Sequence, residues 1–203
     1  MKLYQKVLAY STLITGLSGL FGSRAEAQEG HTAEVPVVRR TVSQTTGDFD
    51  NDGNLDLVVA TTYNDSRSRR GRFGDLYFLK GDGTGKFYEA DLIDEVQGAS
   101  KNLVLASGYI NNDKNLDLIV IATDFGSKKA KMHSYLGKGD GSFKHDRVIG
   151  EIEDGDKDIA VSFDDVDNDL DLDLIVTAAN HSSKKARVYV FFRDGEDFKL
   201  KDN

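Results

Sequence analysis

The chain has 203 residues, 39% of them hydrophobic and 30% charged, with a formal net charge of −8. That length supports one domain with a real core, and the acidic balance excludes a protein built to coat nucleic acid. There is no cysteine, which removes disulfides, iron–sulfur clusters, thiolate zinc sites and cysteine nucleophiles.

Residues 1–27 read as a signal peptide. Lys2 and Lys6 give a positive start, Val7 to Phe21 is mostly apolar, and Ala25-Glu26-Ala27 offers a small-x-small cleavage site. The apolar stretch is short and broken by Ser, Thr and Gly, so no stable membrane span is expected in the mature chain. Losing Lys2, Lys6, Arg24 and Glu26 leaves that mature chain more acidic still. The expected location is secreted, periplasmic or cell-surface. An exported protein without disulfides needs another staple, and a bound metal can serve. Residues 28–36, with the only proline at Pro36, read as a linker.

From residue 37 onward the pattern is strand, turn, strand, with no helical period. Strands are predicted near 37–46, 55–63, 74–81 and 86–96, then 102–110, 116–124, 130–137 and 143–152. A third set follows near 158–164, 172–179, 186–193 and 197–201. These make three units, about 37–97, 98–153 and 154–203, each a four-stranded antiparallel sheet. Each third strand runs into a glycine-rich turn followed by Phe: Gly81 to Phe87, Gly139 to Phe143, and Asp194 to Phe198. Glycine supplies the positive φ of a tight hairpin, and without a following helix these turns are not phosphate cradles. The runs Leu57 to Ala60, Leu118 to Ile121 and Leu174 to Val176 are unbroken, as in strands covered on both faces. Tandem sheets of this kind predict an all-β chain of three β-propeller-type blades. Small residues at the strand ends (Ala60, Ala122, Ala178, Ala179) would suit a crowded centre.

A carboxylate-rich loop joins the first two strands of each unit. The first places Asp48, Asp50, Asp52 and Asp56 at relative positions 1, 3, 5 and 9; the third places Asp165, Asp167, Asp169 and Asp173 likewise. Hard oxygen ligands gathered around so small a volume suit Ca²⁺, and carboxylates held that close repel without a cation. The carbonyl oxygens of Asn54 and Asp171, at position 7, would complete two sites. An EF-hand is excluded, because position 12 is Val59 or Val176 and the flanks read as strands. Loop three carries Leu170 where loop one has Gly53; a left-handed backbone there would cost about 1–2 kcal/mol. Loop two, at 109–117, is degenerate. Tyr109, Asn111 and Lys114 replace an aspartate, an aspartate and the glycine, and only Asp113 and Asp117 remain. No tight Ca²⁺ is expected there.

These residues resemble FG-GAP repeats, also called VCBS repeats, the blades of integrin-like β-propellers. The pattern G-D-x-D-x-D-G-x-x-D-L is complete from Gly47 to Leu57, and Leu-Asp-Leu recurs at 55–57, 116–118 and 172–174. The resemblance spans roughly 37–200. It implies a secreted or surface calcium-binding propeller, often in adhesion or glycan-binding proteins and sometimes attached to an enzyme.

Three blades fall short of the four to eight of ordinary propellers. Two chains sharing a six-bladed ring, a small assembly, and a fragment all stay open; exposed strand edges would favour a homo-oligomer. The loop between second and third strands is basic in every unit: Arg67, Arg69, Arg70 and Arg72; Lys128, Lys129 and Lys131; Lys184, Lys185 and Arg187. By strand parity these lie opposite the acidic loops, where they would suit an anionic glycan, another anionic polymer or an acidic protein. The four histidines, His31, His133, His145 and His181, show no paired zinc spacing, and no catalytic constellation stands out. A recognition module is therefore the leading expectation. The alternative is an enzyme, or the propeller piece of one, acting on polysaccharide or phospholipid.

Overall fold

The computed structural model describes residues 42–64, 72–88, 90–99, 101–124, 127, 129–153, 158–180 and 184–200. The expected signal peptide and linker, and residues 37–41 of the expected first strand, lie outside them. Twelve strands and no helix are present among the described residues. The first sheet is β1 (Val42–Gly47), β2 (Asp56–Asn64), β3 (Arg72–Leu79) and β4 (Asp91–Gln97). The second is β5 (Asn102–Gly108), β6 (Asp117–Thr123), β7 (Ala130–Gly137) and β8 (Phe143–Ile152). The third is β9 (Ile159–Asp164), β10 (Asp173–Asn180), β11 (Lys185–Asp194) and β12 (Asp197–Leu200). Each sheet keeps chain order and is antiparallel throughout. These are tandem propeller-type blades.

The fourth strand starts later than its sequence suggests, at Asp91 rather than near residue 86. Only an isolated Gly81–Phe87 bridge forms where pairing was expected. The Asp82 carboxylate shapes the turn that precedes this bridge. It accepts from the Thr84 hydroxyl and from the Thr84 and Lys86 amides, holding the chain in a compact turn. Asp140 does the same for Ser142 in the second sheet. Gly83, Gly85, Gly139 and Gly141 all have positive φ, as hairpin turns require.

The faces of each sheet are not equivalent. Val58, Ala60, Leu76 and Phe78 point forward from the first sheet onto Leu118, Val120 and Tyr135 of the second. Ile119, Ile121 and Met132 point forward from the second sheet onto Leu174, Val176 and Phe191 of the third. The middle strand β6 is therefore buried along its whole length, which is why its sequence shows no polar alternation. The closest approach between neighbouring sheets is among β1, β5 and β9, with lesser contacts of β2 with β5 and β8 with β12. The crowded centre is thus lined by the first strand of each blade, not by Ala60 in the middle of β2 or by Ala122, Ala178 and Ala179 late in β6 and β10. There the Thr45 hydroxyl meets that of Ser107 at 2.9 Å, and the Leu105 amide donates to Ser43 Oγ.

Candidate metal centre

Each acidic loop connects the first strand of a sheet to the second. Its backbone is wound tightly by side-chain acceptors. In loop one, Asp48 accepts from the Gly53 amide, Asp50 from Asp52, and Asp52 from Asn54. In loop three, Asp165 accepts from the Asp169 and Leu170 amides, and Asp169 from Asp171. Position 6 is left-handed in all three loops, with φ of 88° at Gly53, 71° at Lys114 and 77° at Leu170. Loop three therefore carries the strain anticipated from its leucine, whose side chain is 80% exposed.

Two aspartate triads result. Asp48, Asp50 and Asp56 each offer a carboxylate oxygen, all within 4.8 Å of one another; Asp165, Asp167 and Asp173 do the same. Oxygens about 2.4 Å from a common Ca²⁺ lie no more than about 4.8 Å apart, so both triads can hold a metal ion. Asp48 Oδ1 is buried and makes no hydrogen bond. A buried acceptor left without a donor is costly, and a cation between the three carboxylates would satisfy it.

The remaining predicted residues divide between roles. Asp52 pairs with Lys80, whose Nζ lies 2.7 Å from Asp52 Oδ2 and also bonds Asp50. The Lys80 hydrogen bond holds the Asp52 carboxyl below its ordinary range, and the Asp50 and Asp52 bonds push the Lys80 ammonium up. In loop three, the Arg193 guanidinium is 3.7 Å from the Asp171 carboxylate and donates to the Tyr109 carbonyl. Loop two closes on itself instead, through Asn111 and Asp113.

Position 9 does more than the spacing indicated. Asp56 is fully buried; one oxygen accepts from the Phe49 amide and the other from Gly81 at the end of β3. Asp117 repeats this with Ile110, Asn111 and Gly137, and Asp173 with Val166 and Arg193. This carboxylate clamps its own loop to the third strand in every sheet, including the one with a degenerate loop. The recurrence of Leu-Asp-Leu was the available signal. Burial raises the Asp56 and Asp117 carboxyls, against the lowering by their backbone donors. Nearby Asp50 and Asp52 raise Asp56 further, and a cation in the triad would act in the opposite direction.

The basic residues that can be placed do lie at the far end of the sheets. Gly47 pairs with Asp56 beside loop one, whereas Asn64 pairs with Arg72 at the other end. Lys129, Lys131, Lys184, Lys185 and Arg187 are exposed. Lys129 is held by Glu153 at 2.8 Å and Glu151 at 3.5 Å, so its charge is partly spent within the chain. Arg67, Arg69, Arg70 and Lys128 lie outside the described residues. No helix among the described residues is long and apolar enough to cross a membrane.

Residues 48–120 match the family model of the FG-GAP-like repeat. The match runs from the start of loop one into β6. The third sheet, beyond it, repeats the same strand order and the same buried clamp. A search of curated proteins finds no match to the chain.

Proposed function

We propose that this chain, an FG-GAP-like repeat protein by its match over residues 48–120, is a calcium-stabilised recognition module of the secreted or cell-surface kind. Ca²⁺ binds at Asp48, Asp50 and Asp56 and at Asp165, Asp167 and Asp173, with Asp52, Asp169 and the carbonyls of Asn54 and Asp171 available to complete the shells. The observation that carries this reading is the buried, unsatisfied Oδ1 of Asp48, a residue that shares its triad with two further carboxylates. The ion neutralises repelling charges and locks the turn between the first two strands of a blade. Rigid loops on a stacked-sheet scaffold then present a surface to a ligand. The basic end, with Lys131, Lys184 and Lys185, suits an anionic glycan, another anionic polymer or an acidic protein.

Thermal unfolding with Ca²⁺ and with a chelator tests the metal assignment. Calcium raises the melting temperature, and Asp50→Ala with Asp167→Ala removes most of the gain; an unchanged melting temperature on adding calcium sinks the assignment. Binding to a sulfated polysaccharide at rising salt tests the basic end. Charge reversal at Lys131, Lys184 and Lys185 abolishes a salt-sensitive interaction; binding that survives the reversal excludes that surface.

A further inference from the structure

The forward face of the third sheet is an apolar surface whose two counterparts in the same chain are each covered by the following sheet. Val188 corresponds in register to Leu76 and Met132, both 0% exposed, yet Val188 is 65% exposed. Val166 corresponds to Phe49 and Ile110, exposed 1% and 2%, yet it is 42% exposed. Ile175, Thr177, Val190 and Phe192 share this face and are only half-buried. The opposite end of the array is different. Val59, Tyr77 and Leu79 on the rear face of the first sheet are already buried, at 5%, 9% and 1% exposure.

We propose that the forward face of the third sheet is a docking surface for the same face of a second copy of this chain, with the strands of the two copies antiparallel. Head-to-tail pairing would require the rear face of the first sheet, which is already covered. One open apolar face among the described residues fits an isologous pair, which closes after two copies, better than a ring or filament. Charge selects the direction. Loop three and the β11–β12 turn put Asp165, Asp167, Asp169, Asp194 and Glu196 at one end of this sheet, and Lys184 and Lys185 stand at the other. A two-fold axis across the strands sets the basic end of each copy over the acidic end of its mate. Packed sheets of this type bring their inner side chains together over about 10 Å.

The test is solution mass of the full chain by sedimentation, read with three variants. The wild type is a dimer at tens of micromolar, and Val188→Glu, a change at an exposed position, gives a monomer with unaltered circular dichroism. Lys184→Glu with Lys185→Glu weakens the dimer at least tenfold at low salt. Because the chain has no cysteine, Val190→Cys near the axis reports directly. Mild oxidation links two copies of the folded variant, whereas Thr84→Cys, in the exposed turn between β3 and β4, stays unlinked. A monomeric wild type, a dimer indifferent to Val188→Glu or to the lysine reversal, larger oligomers, or failure of Val190→Cys to self-link overturns the proposal.

Discussion

Lys80 Nζ lies 2.7 Å from Asp52 Oδ2 and bonds Asp50 as well, so a side chain of β3's exit already supplies positive charge to the first acidic loop. In the third sheet the corresponding position is Phe192. The two triads are therefore not equal competitors for an ion. Calcium entering loop one must share Asp50 with an ammonium. Lys80→Met should raise calcium affinity at loop one by a few-fold, since the ammonium that competes for Asp50 is an exposed, solvent-screened charge. Isothermal titration would detect it as a tightening of one of two sites. An unchanged isotherm would mean that Lys80 swings clear of the loop at no cost.

Asp117 separates scaffold from ligand. It is buried in the loop with the fewest carboxylates and accepts from Ile110, Asn111 and Gly137. Asp117→Ala should cost about 3 kcal/mol, since it strands buried amides, and the loss should be the same with and without calcium. Asp48→Ala should behave in reverse: a small change in chelator and loss of the loop-one calcium response. Urea unfolding under both conditions distinguishes them. A calcium-dependent penalty for Asp117→Ala would contradict the division of labour.

Leu170 sits at φ 77° with its side chain 80% exposed. Relief of left-handed strain outweighs the entropy that glycine adds to the unfolded chain, so Leu170→Gly should stabilise by about 0.5–1 kcal/mol. The mirror change, Gly53→Leu at φ 88°, should destabilise by a similar amount. A shift of the urea midpoint in opposite directions for the two variants is the expected result.

His133 gives the fold an acid-side sensitivity. Burial holds its imidazolium form down, with His145 and Lys131 adding to the effect and Asp94 opposing it. Its Nδ1 faces His145 Nε2 at 3.1 Å, and its Nε2 is buried without a partner. The unfolded chain then binds the proton more readily than the folded one. The contribution of this group is present above about pH 6.5 and is lost as pH falls through its lowered folded value. His133→Gln should flatten the decline in melting temperature over that window; an identical decline in the variant would place the sensitivity elsewhere.

Most of the architecture was legible in the sequence because the repeat announces itself three times. The unbroken apolar runs of β2 and β6 correctly indicated strands covered on both sides, whereas the run of β10 belongs to a strand whose forward face, at Ile175 and Thr177, is only half-buried; ten of the twelve strand positions needed only small changes at their ends. The start of β4 was not legible. Phe87 and Tyr88 look like strand residues, yet their pairing stops at the Gly81–Phe87 bridge, with the Tyr88 amide donating to the Lys80 carbonyl. The aspartate triads were visible through their spacing, whereas the backbone clamp made by Asp56 and Asp173 was not. Spacing reports which side chains can converge, and only the pairing register brings Gly81 or Arg193 to the far oxygen. Lys80 was invisible for the same reason, being 30 residues from Asp50 along the chain.

The buried carboxylate at the end of each acidic turn has an evolutionary implication. Because Asp117 fastens its turn with backbone amides alone, a repeat can hold this turn with few of the carboxylates that the other two loops carry. If the two triads take up cations as proposed, cation dependence can differ from one module to the next while the stacking order stays intact.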